Sequence, residues 1–525
     1  MTDTRRALAR AGLLVTGAYL VSRLLGWARL VVFGTIFGAS PDLDAYFAAF
    51  RIPDAIFQLV AAGALGSALI PILAGLFAHH LEDEAWKVVS TVVNLMLVAL
   101  VPITVVVAIL APEIMPLITP GFDSVQTELT VRLSRIMLLS PVLLALGAVA
   151  TSALNAKGRF GAAAVSPLLY NAAIIVAAIA LAPALGVEAL ALGVVLGSLL
   201  ALLVQVPALL RGGLRYDLHL DLRHEPTRAV LLLMAPRALG LGATQITFLV
   251  NTTLASGLAA GAITAYNIAF AVFQIPIGVI GVPLGVVLLP AMSRALATGA
   301  VRTFGTYVVR SLRLLLFVML FLTAVAMVLR RQIVTLLFDY GQFDAQAVDL
   351  TANTLLFFLI GMAADALIVV LARAFYAGRE TRIPVAAALL AVAVNVAVSV
   401  ATIGTLGLSG LALGIAVGAW IEAVVLTVIL AGRTAGMSLA SLGRAALLFL
   451  FGSLLAGAAA AGAVRLTDLV IGTDPGKIAI LAQTVAGTVA AVAVYVGYAL
   501  LLRVPELTET ATILAGVVRR RKVSV

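Results

Sequence analysis

Apolar residues in this chain gather into long stretches, and most polar residues fall between them. Many stretches run to about 20 residues or more, enough for a helix to cross roughly 30 Å of hydrocarbon. About fourteen spans are predicted, at 11–37, 45–78, 86–111, 127–155, 161–182, 186–210, 227–255, 262–293, 304–329, 346–377, 383–404, 407–431, 440–464 and 477–502. Alternating strands of about ten residues, the mark of a membrane β-barrel, are absent. The pattern predicts an all-α polytopic membrane protein.

Composition agrees. Of 525 residues, 63% are hydrophobic and only 11% charged, and the mean hydropathy is +1.16. Soluble domains do not have this balance. The net charge of +10 would suggest nucleic acid in a soluble protein. Here it is read as basic cytoplasmic loops facing anionic lipid, with no nucleic-acid partner. There is no cysteine, so disulfides and thiolate chemistry are excluded, and the four histidines are scattered. The N-terminal MTDTRRALARAG resembles a signal-peptide n-region, but the apolar run behind it is too long and holds arginines, so it reads as a retained first span.

The distribution of basic residues predicts cytoplasmic N- and C-termini. The even connections carry Lys157 and Arg159; Arg211, Arg215, Arg223 and Arg228; Arg294 and Arg302; Arg379 and Arg382; and Arg433. The tail ends RRRK at 519–522. The odd connections hold few basic residues, Arg330, Arg331 and Arg465 among them. That asymmetry is the positive-inside pattern. HHLEDEAWK (79–87) goes against it, being acidic yet placed inside.

The chain also repeats itself. FRIP (50–53) and LGSALIP (65–71) recur as FQIP (273–276) and LGVVLLP (284–290). Spans 1–6 and 7–12 are therefore expected to form two parallel six-helix lobes, 1–212 and 213–435. Spans 13 and 14 (436–502) and a basic cytoplasmic tail (503–525) fall outside the repeat. Paired bundles with proline-broken helices are a transporter architecture.

Within the spans a few charges stand out. SRLLGWARL (22–30) places Arg23 and Arg29 inside the first span, where each costs at least about 2.5–3.5 kcal/mol to insert. Six residues apart, they lie about 9 Å apart along a helix and about 120° around it. Both can face one space only if it is wide or if the helix bends at Gly26. Asp44 and Arg51 enter the second span on nearly one face, ahead of Pro53. Asp44 can cap that span or pair with Arg29 or Arg51. Clustered arginines favour anions, phosphate above all. Arg132 and Arg135 are expected at the outer surface, Arg237 at the cytoplasmic start of span 7, and Asp365 and Glu422 as isolated acids. No nucleophile triad, carboxylate pair or phosphate-cradling glycine loop is present.

SRLLGWARLVVFGTIFGASPDLDAYFAAFRIP (22–53) resembles the opening of the MurJ (MviN) family, lipid II flippases of the multidrug/oligosaccharidyl-lipid/polysaccharide superfamily. LNAKGRF (154–160), the stretch 244–294 and LARAFYAGRETRIP (371–384) extend the resemblance over most of the chain. It implies fourteen helices and a transporter rather than an enzyme. The implied activity is to move lipid II, or another undecaprenyl-diphosphate-linked glycan, between leaflets of the bacterial cytoplasmic membrane. Alternating access through a cationic cavity is the implied mechanism, and the extra helices are expected to form a lipid-facing groove.

Arg23, Arg29 and Asp44 match the family's first-span arginines and second-span aspartate, with Arg51 and Gln274 beside the matched motifs. Phe57, Gln58 and Ala271 stand where the family carries further arginines. An ion site in some members uses positions that are Asn251, Asn395 and Ser399 here. Coupling to a monovalent cation or to the membrane potential is open, no other cofactor is expected, and a monomer among membrane lipids is. Two alternatives stand beside lipid II: a flippase or exporter of another polyprenyl-linked glycan, and a non-transporting scaffold for envelope synthesis.

Overall fold

Each predicted span coincides with a helix or a pair of helices in the structure, a computed structural model that describes residues 2–59, 64–471 and 476–510. The arginines of the tail at 519–522 and the side chain of Arg237 lie outside the described residues.

The chain begins with α1 (Thr2–Phe37), which runs unbroken through Gly26. Span 2 is divided into α2 (Pro41–Phe57) and α3 (Ala64–Ala78). Then come α4 (Glu82–Ile109), the short α5 (Ala111–Ile118), α6 (Ser124–Met137) and α7 (Ser140–Ala156). After them are α8 (Phe160–Leu185), α9 (Glu188–Leu203), α10 (Val206–Leu210) and α11 (Glu225–Ser256). Span 8 is α12 (Ala262–Pro276), a π-helical turn (Ile277–Gly281) and α13 (Val282–Ala297). The remainder is α14 (Val301–Phe338), α15 (Ala345–Ile360), α16 (Met362–Ala377), α17 (Arg382–Leu406), α18 (Leu408–Arg433), α19 (Leu439–Ile471) and α20 (Lys477–Leu501).

Among the described residues, 11 helices are long and apolar enough to cross a membrane, or 12 with the pair α15 and α16, bent by 45°. That is fewer than the expected fourteen. The two segments outside the count are 45–78, divided between α2 and α3, and 227–255, which is α11. The repeated motifs end their helices alike. Pro53 lies near the end of α2, and π-type turns follow at 58–59; Pro276 ends α12, and the π turn 277–281 follows. Proline removes a helical donor and crowds the preceding turn, which favours such a bulge.

Two compact units divide the chain. Unit 1 is Met1–Thr264 with Tyr340–Asp344; unit 2 is Ala265–Asp339 with Ala345–Val525. α11 belongs to unit 1, where it packs on α3 and touches α2, α4 and α5. In unit 2 the helices of spans 13 and 14 pack on α14. The Tyr495 hydroxyl donates to the Phe317 carbonyl at 2.7 Å, its ring stacks on Phe321 at 4.6 Å, and Arg313 pairs with Glu506 at 2.5 Å.

The acidic HHLEDEAWK segment also finds its explanation in unit 1. Lys157 Nζ reaches Glu82 at 3.4 Å, donates to the Gly212 carbonyl at 2.6 Å and lies 4.6 Å above the Phe77 ring. Arg215 pairs with Asp83, and His224 Nε2 meets Glu84 at 2.7 Å. Asn94 donates to the carbonyls of Asp217 and His219 at 2.9 and 2.8 Å and accepts from Tyr216 at 2.6 Å. The acids at the start of α4 thus neutralise basic residues of the neighbouring connections and hold the strap that leads into α11. Sequence position alone counted them against the positive-inside pattern; in space they are partners of it.

Candidate functional site

A cavity of about 600 Å³ opens within unit 1, between α1, α2, α3, α7, α8 and α9. Its wall is largely apolar, as ligand pockets are, and holds a small polar set. Arg29 enters from α1, Asp54 and Gln58 from α2, Tyr170 from α8, and several hydroxyls from α7, α8 and α9. Among the described residues Arg29 is the only cation in this lining.

Arg29 is half-buried. Its side chain bonds Tyr170 and lies in electrostatic reach of Asp54. The guanidinium carbon sits 5.9 Å from the Phe33 ring centroid, a weak cation–π contact. Its Nε is buried with no hydrogen-bond partner. A charged donor left unmatched in an apolar span is costly.

The other predicted residues are placed differently. Arg23, on the same helix, is exposed and does not line this cavity. Arg51 is held by α11: its Nε donates to Thr252 Oγ1 at 2.9 Å, and its guanidinium lies 5.0 Å over the Phe248 ring. Asp44 is 3% exposed and does not pair with an arginine; it accepts at 2.7 Å from Gly261 N, Thr264 N and Thr264 Oγ1. It therefore ties the loop ahead of α12. Gly261 has φ +84°, and a Cβ there would meet the Ala39 carbonyl at 2.4 Å, so glycine is required. Asp44→Ala would strand two buried N–H groups, each costing about 1–3 kcal/mol. The expected result is a destabilisation of about 3 kcal/mol or more, read as a lowered thermal unfolding midpoint of the purified protein. Asp44→Asn should fall between, since its amide nitrogen cannot accept at the second position.

In unit 2, Gln274 and Ala271 are half-buried on α12. Asn395 and Ser399 are buried on α17, 2% and 0% exposed, and lie against Gly414 of α18. Asn395 Nδ2 and Ser399 Oγ are 3.5 Å apart, and Asn395 Oδ1 has no hydrogen-bond partner. Asn251 belongs to unit 1, buried on α11. Arg132 pairs with Glu188 at 3.0 Å, and Arg135 donates to the Ala108 carbonyl at 2.9 Å. Asp365 and Glu422, read as isolated, sit on the packed helices α16 and α18 in electrostatic reach of one another.

Known proteins share both sequence and fold with this chain. The family profile described as lipid II flippase MurJ matches residues 33–473. A lipid II flippase of Burkholderia cenocepacia is 33% identical over 428 residues, covering 80% of this chain and 83% of its own. The chain belongs to the MurJ family. A probable lipid II flippase MurJ of Rhizobium tropici is 31% identical over 436 residues, covering 81% of each chain. A solved MurJ structure in an inward closed conformation superposes with a TM-score of 0.78 at 22% identity, over 94% of this chain and 99% of that one. An inward-facing multidrug-resistance MATE transporter of the MOP superfamily follows at 0.67 and 17%, over 81% and 96%. These likenesses establish the shared all-helical fold of a multi-pass membrane protein.

Sequence reasoning within the MurJ resemblance found Arg29 but passed over Asp54. That acid accepts from Gln58 Nε2 at 3.4 Å and bonds Gln245 of α11, and it lies in electrostatic reach of Arg51 and Arg29. Its signal was present: a carboxylate three residues after Arg51, inside a span, is a functional candidate by default.

Proposed function

We propose that this protein moves lipid II from the inner to the outer leaflet of a bacterial cytoplasmic membrane by alternating access, with both termini cytoplasmic. Family membership over 33–473 is the observation that carries this reading. A cavity of about 600 Å³ bearing Arg29, with an unmatched guanidinium donor, supports it as a place for an anionic head group. Arg23, Arg51 and Gln274 belong to the proposed substrate path, and Asp44 to the scaffold that positions it. Energy coupling is proposed to come from the membrane potential, worth about 2.3 kcal/mol per charge per 100 mV, or from a monovalent cation at Asn395 and Ser399.

Complementation tests the proposal: a bacterium depleted of its own lipid II flippase should grow when this chain is expressed. Normal membrane expression without growth would remove lipid II as the substrate. One observation favours a second reading, transport of a different polyprenyl-linked glycan. Phe57, Gln58 and Ala271 replace expected arginines, and Asp54 adds a negative charge beside those that remain.

A further inference from the structure

The strap between α10 and α11 alternates in character. Residues 214–223 read LRYDLHLDLR, with apolar side chains at the even positions and Arg215, Asp217, His219, Asp221 and Arg223 at the odd ones. A period of two puts these sets on opposite faces of an extended chain. Residues 214–221 contain no helical turn, and their hydrogen bonds are those of an extended edge. Asn94 donates to the carbonyls of Asp217 and His219, Ser90 Oγ donates to the Arg215 carbonyl, and Asp217 N donates to Ser90 Oγ. All four strap groups belong to odd residues, so one backbone edge faces α4. On the other edge, among the described residues, the backbone of Leu218 and Leu220 has no protein partner.

The strap runs beside a span. Arg215 pairs with Asp83 and His224 with Glu84, so both ends sit at the start of α4. Asn94, which holds the middle, lies about 15 Å further along the helix. Beyond it the same face of α4 carries Val98, Val101 and Val105, all exposed, Val98 by 64%. Exposed valines within a span form a surface for lipid tails. The strap therefore ends where lipid contact begins, and there it exposes Leu218, by 86%, with Leu220 and Leu222.

Two constraints fix its depth. Fully in water, the three leucines would form an unburied apolar row. Fully in hydrocarbon, the free N–H and C=O groups of Leu218 and Leu220 would go unsatisfied, and irregular chain does not face lipid there. The interface meets both demands: water and head groups bond the free edge while apolar side chains reach between the lipids. Arg211, Arg215, Arg223 and Arg228, all exposed, flank the strap and complement anionic head groups.

We propose that residues 214–223 form an interfacial lipid-contact strap, in which Leu218, Leu220 and Leu222 enter the head-group region of the cytoplasmic leaflet while Asp217 and His219 stay in water. The inference rests on the proposed orientation for the choice of leaflet, and it adds a surface that fixes the start of α11 to the bilayer.

The chain has no cysteine, so a single introduced cysteine carries the only spin label. Leu218→Cys, Leu220→Cys, Leu222→Cys, Asp217→Cys and His219→Cys are each labelled in the full chain, in nanodiscs containing anionic phosphatidylglycerol. All five side chains are exposed, and Ser90 and Asn94 bond the main chain at 217 and 219, so the substitutions leave the packing intact. Collisions with oxygen, which enters lipid, are compared with collisions with a water-soluble nickel chelate. The oxygen-to-nickel ratio is expected to be at least about threefold higher at the three leucine positions than at 217 and 219, as for alternate faces across an interface. Ratios without this period of two, or leucine labels open to nickel, overturn the proposal. Leucine labels reached by neither agent in native membrane vesicles show that a protein covers the strap, and overturn it too. A membrane-impermeant thiol reagent reads the side separately. Labelling of Asp217→Cys from outside intact cells overturns the proposed orientation, and the nanodisc ratios still decide the strap.

Discussion

Arg29→Ala is expected to abolish complementation of a lipid II flippase-depleted strain and to weaken lipid II binding by about 10- to 100-fold. A hydrogen bond to a charged group contributes about 1.5–3 kcal/mol, and each 1.4 kcal/mol is tenfold in affinity. The side chain lines the cavity, and its Nε has no protein partner to lose. Removing a charge from a membrane span also lifts an insertion cost of about 2.5–3.5 kcal/mol. That gain offsets the lost bond to Tyr170 and the lost charge beside Asp54, so thermal stability should change little while activity disappears, a combination that misfolding cannot produce. Arg29→Lys should recover little, because an ammonium is a point charge without the planar fork that engages phosphate bidentately. Arg23→Ala should have the smaller effect, since Arg23 is exposed and lies outside this cavity lining. Equal loss in the two alanine variants, or growth restored by Arg29→Ala, would sink this assignment of roles.

How far the sequence reached depended on whether a feature is carried by local pattern. Span positions were legible because hydrophobic length is local, and every predicted segment has its helix. The bend between α15 and α16 was not predicted, and span 2, expected to break at its proline, divides beyond Phe57 instead. Arg29 was legible because a cation in a span stands out against its neighbours. Partners were not legible. Asp44 was read against nearby arginines, but its carboxylate bonds Gly261 and Thr264, more than two hundred positions away. The acids of 82–84 looked misplaced until Lys157, Arg215 and His224 were seen to meet them. The serine and threonine hydroxyls of the cavity lining come from three helices, and serines in apolar helices give no sign in sequence of the side they face.

Gly414→Ala is expected to destabilise the protein by about 1–3 kcal/mol, the usual range for overpacking a well-filled interior, and Gly414→Leu to prevent recovery of folded, monodisperse protein. GLALGIAVG (410–418) spaces three glycines by four residues, so they line one face of α18. That face meets α17 too closely for any side chain. A Cβ at Gly410 would lie 2.6 Å from Thr402 Oγ1, and one at Gly418 would lie 2.7 Å from the Ala391 carbonyl. At Gly414 it would lie 2.3 Å from Ser399 Oγ and 2.7 Å from the Asn395 carbonyl. Lipid tails are as apolar as side chains, so helices in a membrane gain from close packing of small residues rather than from burial. Losing that approach removes what joins α17 to α18. Gly404 of α17 supplies the control, because a Cβ there meets nothing within 4 Å. Gly404→Ala should stabilise by up to about 1 kcal/mol, alanine being the better helix former. Trimming Ser399 to alanine should relieve Gly414→Ala only in part, because the Asn395 carbonyl cannot withdraw without moving α17. Thermal unfolding of Gly414→Ala, Gly404→Ala and the Ser399→Ala, Gly414→Ala double variant in one detergent decides the matter. If Gly414→Ala and Gly404→Ala shift the midpoint in the same direction, the glycine seam does not hold the two helices together.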